Sequence, residues 1–250
     1  MRDYEHIRRA EGRVESSPAY FWSLPFPAAA PPLAPYWAFR AVAYQALLAS
    51  EPLDQGPRDI LDLGAGNGWL ANRLALLGHR LTAVDLLTNT WDGLGTLAHY
   101  RVPILGVQAE YDALPFAPAQ FDIIVFNASF HYSVDYQQTL MEVLRCLRPI
   151  GLIVAAATAI YTNATSGKQM LAEQAAQFQR QYGTPSTSLK SQGFLTWALL
   201  NELAASQNVS VEAVKLSYGW RTTISRLVGR LQLRRELASF ALLRFTRGPA

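Results

Sequence analysis

Residues 60 to 68 read Ile60-Leu61-Asp62-Leu63-Gly64-Ala65-Gly66-Asn67-Gly68, and this stretch decides which fold the chain can adopt. The largely aliphatic run over 58–63 follows Gly56-Pro57 and predicts a short strand that is buried on both faces. Glycines allow a sharp turn after the strand and let the backbone approach a ligand closely. A helix is predicted over 69–77, with Gly78 at its C-terminal end.

A second strand is predicted over 80–84 and ends at Asp85. In an open α/β sheet, ligands lie beyond the carboxyl ends of the strands, at the point where the strand order reverses. Asp85 should therefore lie beside the glycine turn, where it can accept hydrogen bonds from ribose hydroxyls. A dinucleotide fingerprint needs glycine at its sixth position, where this chain has Trp69. The spacing therefore disfavours a nicotinamide dinucleotide.

The rest of the chain alternates between strand and helix patterns. Further strands are predicted over 102–107, 121–127, 152–157, 209–216 and 238–245, and helices over 91–100, 135–147 and 192–206. Such alternation is typical of a parallel sheet with helices on both faces. At 250 residues, half of them hydrophobic, the chain is expected to form a single compact domain.

The motifs resemble those of class I S-adenosylmethionine-dependent methyltransferases, in particular a small-molecule branch similar to ubiquinone-biosynthesis enzymes. The family's first motif resembles Asp62 to Gly68, and its second-strand acid falls on Asp85. Residues 109–116 resemble the next motif, 121–125 the fourth strand, and 140–151 the helix and turn before strand five. Ile150 stands where the family usually has glycine. The resemblance covers about residues 58–157.

This resemblance implies a doubly wound, Rossmann-like, seven-stranded and mostly parallel sheet with an antiparallel edge strand, the last two strands pairing antiparallel. It implies S-adenosyl-L-methionine as cofactor, S-adenosyl-L-homocysteine as product, and no metal. The implied cofactor-binding residues are Asp62, Gly64, Ala65, Gly66, Gly68, Asp85, Leu86, Glu110, Tyr111 and Asn127. Glu110 is expected to accept a hydrogen bond from the adenine amino group, between apolar walls of Leu86 and Tyr111. The Gly64–Gly68 backbone is expected to contact the methionine end.

The methyl acceptor should lie at the end of strand four, where the chain continues through Asn127 to Tyr132. His131 is the candidate general base, because the unperturbed pKa of histidine lies near neutrality. The alternative is a histidine that packs or hydrogen-bonds at the entrance of a helix. The predicted reaction is methyl transfer by in-line displacement to a small, partly apolar molecule.

Residues 1–50 form a separate N-terminal extension with a composition unlike that of the sheet. Aromatic clusters at 20–22 and 36–39 flank a proline-rich stretch over 25–35, and a helix is predicted over 36–50. The aromatic residues either close over a substrate as a lid or anchor the extension against the core. Residues 51–250 are predicted to be the methyltransferase domain, with 158–206 as an insertion on the substrate side.

An arginine-rich segment near the C-terminus supports an alternative function. Arg221, Arg226, Arg230, Arg234 and Arg235 have Glu236 as their one acidic neighbour. Such a segment can bind RNA, and the chain would then be an RNA methyltransferase. A solvated helix face is favoured, because basic stripes are common and the net charge of +3 is small. A further alternative is a non-catalytic cofactor-binding module. The oligomeric state is left open.

Three features indicate a cytoplasmic protein without a membrane span. No apolar run is long enough to cross a bilayer, and the N-terminus lacks the apolar stretch of a signal peptide. Cys146 is the single cysteine, which fits a reducing compartment.

Overall fold

A computed structural model describes residues 2–27, 33–51, 53, 55–185, 190–216 and 235–248. The arginine-rich segment lies outside these residues, except for Arg235. The strands are β1 (Asp59–Leu63), β2 (Arg80–Asp85), β3 (Ile104–Gln108), β4 (Phe121–Asn127), β5 (Leu147–Ala156), β6 (Ile160–Tyr161), β7 (Leu195–Thr196), β8 (Val209–Lys215) and β9 (Ala241–Arg247). The helices are α1 (Arg2–Ala10), α2 (Pro18–Ser23), α3 (Ala34–Ser50), α4 (Trp69–Ala75), α5 (Tyr136–Cys146), α6 (Ala164–Tyr182) and α7 (Trp197–Gln207), with 3₁₀ helices at Leu94–His99 and Phe130–Tyr132.

Seven strands form one sheet in the order β3-β2-β1-β4-β5-β9-β8. Neighbouring strands from β3 to β5 pair in parallel, whereas β9 pairs antiparallel with both β5 and β8. The predicted doubly wound, mostly parallel sheet with an antiparallel edge pair is therefore confirmed. The strand order reverses between β1 and β4, which puts a crevice beside the carboxyl ends of these two strands.

Alternate residues of β1 face two different hydrophobic cores. Ile60 belongs to the core that also contains residues of α3 and α4. Leu61 and Leu63 belong to the opposite core, which contains residues of α5 and α7. Strand β1 is therefore buried on both faces, as its aliphatic sequence predicts. Asp62 is its one buried polar residue, and it lies on the same face as Ile60.

Some predicted boundaries shift. The helix predicted over 91–100 is reduced to a 3₁₀ helix at Leu94–His99, where Gly93 and Gly95 allow a close approach to the backbone of residues 87–89. Strand β5 begins at Leu147 rather than residue 152. The polar stretch after residue 158 contains a long helix, α6, which is capped by Asn163 and ends at Gly183 in a left-handed conformation.

The N-terminal extension packs on the same side of the sheet as α4. Phe21 is fully buried and stacks on His99, with ring centroids 4.8 Å apart. The Arg73 guanidinium of α4 donates hydrogen bonds to the carbonyls of residues 22–24, which end α2. Trp37 of α3 packs edge-on against Trp69 of α4. The aromatic residues of α2 and α3 therefore anchor the extension to the core.

A buried leucine in α4 and an exposed leucine just beyond its end provide a test of this packing. Leu74 is fully buried, whereas Leu76 is 58% exposed just beyond the helix. We expect Leu74→Ala to lower the free energy of unfolding by about 2–5 kcal/mol, because it leaves a cavity between α4 and the sheet. Leu76→Ala is the matched control and should change it by no more than about 0.5 kcal/mol. Urea unfolding measures both, and equal effects would contradict this packing.

Candidate functional site

The turn between β1 and α4 depends on glycine at its first position. Gly64 has a φ of 72°, and a Cβ there would overlap the Tyr111 hydroxyl and the side chain of Ser129. Gly66 has a φ of 55°, and a Cβ there would be in ordinary contact with the Asp92 carbonyl oxygen, at 3.7 Å. Gly68 has a φ of 69° and lies beneath the side chain of Leu97. The partly exposed backbones of Gly64 and Gly66 therefore form what we call the glycine cradle. Gly68 instead leaves room for the Leu97 side chain at the start of α4.

The carboxylate of Asp85 joins this turn to the end of β2. Its Oδ2 accepts a hydrogen bond from the Gly66 N–H at 2.7 Å, and its Oδ1 accepts one from the Leu87 N–H at 2.8 Å. Burial raises the pKa of Asp85, although these two hydrogen bonds act in the opposite direction. A carboxylate has about four acceptor positions, so each oxygen keeps one for a ligand.

Asp62 is a buried carboxylate whose oxygens accept no hydrogen bond of standard geometry in the part of the chain that the structure describes, although a weak interaction with the Ala71 N–H lowers its pKa. Only 1% of the residue is exposed. Burial, together with the nearby charge of Asp85, raises the pKa of Asp62 to about 7. A buried polar group without a partner is rare in a native structure, and one that lines a cavity is a candidate for contact with a ligand.

These groups line a cavity of about 380 Å³, within the size range of small-molecule sites, about 300–1,000 Å³. The predicted cofactor residues that line it are Asp62, Gly64, Ala65, Gly66, Asp85, Leu86, Glu110, Tyr111 and Asn127. They come from the ends of β1, β2 and β4 and from the segment after β3. The structure thus brings together all the predicted cofactor residues except Gly68.

Further lining residues come from the N-terminal extension, whose cationic residues no sequence motif indicated. These are Tyr4, Arg8, Arg13, Tyr36, Trp37 and Arg40, which we call the N-terminal cover. Asp92 also lines the cavity and forms an ion pair with Arg8, with Nε and Oδ2 2.5 Å apart. The extension therefore contributes to the lining of the cavity as well as to the core, and closure of its aromatic residues over a substrate stays a prediction.

His131 lies beside the cavity rather than in its described lining, to which the next residue, Tyr132, contributes instead. The His131 ring packs against Tyr132, with centroids 4.3 Å apart, and its Nδ1 is buried without a described hydrogen-bond partner. Burial and the charge of Arg40 lower the pKa of His131 to about 4. The imidazole is therefore neutral at pH 7 but weakly basic, and its role as general base stays a prediction.

Comparison with known families matches residues 61–155 to a model described as "Methyltransferase domain". A malonyl-[acyl-carrier protein] O-methyltransferase of Hahella chejuensis is 34% identical over 101 residues, which cover 39% of this chain and 36% of that protein. An uncharacterized methyltransferase of Mycobacterium tuberculosis is 34% identical over 99 residues, which cover 40% of this chain and 39% of that protein. The match thus spans well under half the length of these curated relatives.

Solved structures share the fold over most of the chain. A structure of a Haloferax volcanii putative methyltransferase in complex with the Trm112 methyltransferase activator has a TM-score of 0.61 at 18% identity, covering 87% of this chain and 92% of that one. An S-adenosylmethionine-dependent methyltransferase from Mesorhizobium loti has a TM-score of 0.58 at 18% identity, covering 82% and 98%. At this identity the likeness concerns the fold. In the described ranges no helix is long and apolar enough to cross a membrane.

Asp62→Asn tests the buried carboxylate through the pH dependence of stability. In the unfolded chain Asp62 titrates near 3.8, and in the folded protein near 7. Between these pH values the folded state holds the extra proton, so the stability of the wild type falls as the pH rises. The stability of the asparagine variant does not fall in this way, because asparagine does not titrate. Its stability relative to wild type should therefore be on the order of 2–4 kcal/mol more favourable at pH 8 than at pH 4.

Asp59→Asn is the matched control on the same strand. Hydrogen bonds from Arg80 and Arg148 lower the pKa of Asp59, so its stabilising effect is lost only at a pH below about 3.8. The control variant should be less stable than wild type by a nearly constant amount between pH 4 and pH 8. Denaturant unfolding at both pH values measures these differences. A constant difference for Asp62→Asn as well would contradict the raised pKa of Asp62.

Proposed function

We propose that this chain, whose residues 61–155 form a class I S-adenosylmethionine-dependent methyltransferase domain, transfers the cofactor's methyl group to a small, partly apolar acceptor. The observation that carries the proposal is the pair of carboxylates, Asp62 and Asp85, on either side of a glycine cradle. Each of them keeps free acceptor positions that face a single cavity.

The residues present fit this cofactor. Glycine is required at position 64, because a side chain there would collide with Tyr111 and Ser129, and the backbones of Gly64 and Gly66 line the cavity. The Asp62 carboxylate accepts no hydrogen bond of standard geometry in the described structure, and the cofactor's ammonium group would supply a donor. The remaining acceptor positions of Asp85 suit two ribose hydroxyls, each such hydrogen bond contributing about 1.5–3 kcal/mol. Leu86 and Tyr111 would contact the adenine, with Glu110 near its amino group.

The bound cofactor supplies a methyl group that is already activated by its sulfonium. The chain therefore has to align the acceptor with this group and to exclude water. The N-terminal cover can contribute both to this alignment and to the exclusion of water. Its aromatic and cationic side chains line the cavity, and Arg40 contacts the Asn127 carbonyl at the carboxyl end of β4. Asn127 lies at that end, where it would meet the methionine part of the cofactor. His131 would act as general base only for an acceptor that reaches past Tyr132.

The chemical identity of the methyl acceptor is part of this proposal only. The name of the Hahella chejuensis relative assigns that protein a malonyl group on an acyl-carrier protein. A small acyl group of this kind is one acceptor consistent with the mixed aromatic and charged cavity. Neither an RNA acceptor nor a role of Arg221–Arg235 receives support, since nearly all of that segment is outside the described residues.

Calorimetry with S-adenosyl-L-homocysteine tests the cofactor assignment. The wild type should bind it, and Asp85→Asn should bind it about 10- to 100-fold more weakly, because a ribose hydrogen bond to a carboxylate is lost. Asp135→Asn is a suitable control, since asparagine caps a helix about as well as aspartate, and Asp135 caps α5 without lining the cavity.

Each result has a distinct meaning. A wild type that does not bind would contradict the assignment, and unchanged binding by Asp85→Asn would contradict the ribose role alone. Production of S-adenosyl-L-homocysteine from S-adenosyl-L-methionine with cell-extract fractions then separates an enzyme from a non-catalytic module. Binding without turnover on any fraction would favour the module.

A further inference from the structure

Tyr36 is a tyrosine of helix α3 that lines the cavity among the arginines of the N-terminal cover. The guanidinium carbon of Arg13 lies 4.1 Å from the centroid of its ring, and that of Arg40 lies 4.7 Å from it. Other tyrosine hydroxyls form hydrogen bonds within the protein, among them those of Tyr20, Tyr100 and Tyr136. The Tyr36 hydroxyl has no such partner in the described ranges, and the residue is only partly buried. This hydroxyl is therefore accessible to a ligand in the cavity.

More positive than negative charge surrounds the Tyr36 hydroxyl. The groups that act on it are Arg8 of α1, Arg13 after α1, Tyr20 of α2, Arg40 of α3 and Asp92 after β2. Glu11 lies behind Arg13, with which it forms an ion pair at 2.6 Å. Burial raises the pKa of Tyr36, but the charges of the three arginines outweigh burial and the charge of Asp92, and they lower this pKa to about 8. Part of Tyr36 is therefore a phenolate at neutral to mildly alkaline pH.

Tyr36 is better suited to accept a proton than the other candidates near the cavity. A general base is most effective when its pKa lies near the working pH. His131, with a pKa of about 4, is too weak a base and is not part of the described lining. Burial raises the pKa of Tyr4 and of Tyr111, which do line the cavity, so both stay protonated. Tyr36 combines access to the cavity with a hydroxyl that ionises readily.

We propose that Tyr36, held among the guanidinium groups of the N-terminal cover, is the general base that accepts the proton of the methyl acceptor. This inference rests on the proposed function and deepens it. The acceptor oxygen would pass its proton to the phenolate oxygen of Tyr36 and form a bond to the methyl carbon. The bond from that carbon to sulfur would break at the same time and leave its electron pair on sulfur. Tyr36 ends the step as a neutral phenol and then returns the proton to water.

The same cluster narrows the class of acceptor. A carboxylate has already lost its proton at neutral pH and needs no base. An acceptor that carries an ammonium group would be repelled by the cationic cover. A neutral, weakly acidic hydroxyl such as a phenol, with a pKa of about 10, is an acceptor that a base with a pKa of about 8 can help to ionise. The geometry thus favours a neutral hydroxyl acceptor.

The first arm of the experiment follows the ultraviolet absorbance of tyrosinate as the pH rises. The wild type should ionise one tyrosine with a midpoint near pH 8, and Tyr36→Phe should lack this step. Tyr44→Phe is the matched control and should keep it, because Tyr44 lies further along α3, does not line the cavity, and has a pKa that burial raises. Arg13→Gln should move the midpoint upward, since it removes one of the stabilising charges.

The second arm tests whether Tyr36 faces the group that is transferred. S-adenosyl-L-methionine carries a sulfonium charge that S-adenosyl-L-homocysteine lacks, whereas both carry the same nucleoside and amino-acid groups. Ionisation of Tyr36 should therefore raise the affinity for the first relative to the second by about 10-fold between a pH of about 6 and a pH of about 9. Calorimetry measures this ratio. Titration of Asp62 acts on both ligands, and Tyr36→Phe, whose ratio should stay constant, reports any remaining contribution.

The third arm measures production of S-adenosyl-L-homocysteine with a cell-extract fraction that supports turnover. The wild-type rate should rise through a pH of about 8. Tyr36→Phe should be slower by about 100-fold or more and should lack this rise, because the acceptor proton has no base to receive it. Tyr44→Phe should behave like wild type. If no fraction supports turnover, the affinity ratio of the second arm decides the role of Tyr36.

The outcomes separate this role from the proposed function. A wild type that binds neither nucleoside contradicts the proposed function itself, and Tyr36 then has no acceptor proton to take. Binding with a ratio that changes equally in wild type and Tyr36→Phe would overturn the role of Tyr36 alone, as would a Tyr36→Phe variant with the wild-type rate. If Tyr36→Phe does not fold, Arg13→Gln replaces it. That variant must shift the change in affinity ratio to higher pH, and an unshifted change overturns the role.

Discussion

The hydrogen bond from the Gly66 N–H to the Asp85 carboxylate is the contact on which the arrangement of the site depends. It joins the turn after β1 to the end of β2, and the backbone N–H groups of Gly64 and Ala65 reinforce it by donating to the Val84 carbonyl. Because β1 lies at the reversal of the strand order, this junction fixes one wall of the crevice. The cavity then forms where β4 and the N-terminal cover approach the same turn.

The same junction creates an electrostatic cost for the folded protein. Asp62 and Asp85 are both withdrawn from water, and each disfavours the charge of the other, which contributes to the raised pKa of Asp62. No described side chain neutralises Asp62, although arginines line the same cavity. A cavity lined by carboxylates and by arginines suits a ligand that carries both positive and negative groups, as S-adenosyl-L-methionine does.

Much of this fold was predictable, because its determinants are local. The aliphatic run before Gly64, the glycine turn and the acid after β2 follow one another within some thirty residues, and the resemblance to class I methyltransferases that they carry is confirmed at the level of fold and domain. The predicted cofactor residues gather at one cavity because they lie at carboxyl ends of parallel strands or directly after them. Gly68 fails to join them because the third glycine accommodates Leu97, a contact that turn spacing does not reveal.

The part of the N-terminal cover in the cavity lining could not be predicted, because it depends on contacts between distant parts of the chain. Arg8 meets Asp92 across 84 residues, and Arg40 meets the Asn127 carbonyl across 87. Helix α1 has Ile7 as its one buried residue, so its hydrophobic pattern alone is too weak to indicate where it docks. The same limit applies to His131 and Tyr132, since the short 3₁₀ helix at this point determines which neighbouring side chain enters the cavity. The cofactor end of the site is thus encoded locally, whereas the end that selects an acceptor depends on how the extension packs over the sheet.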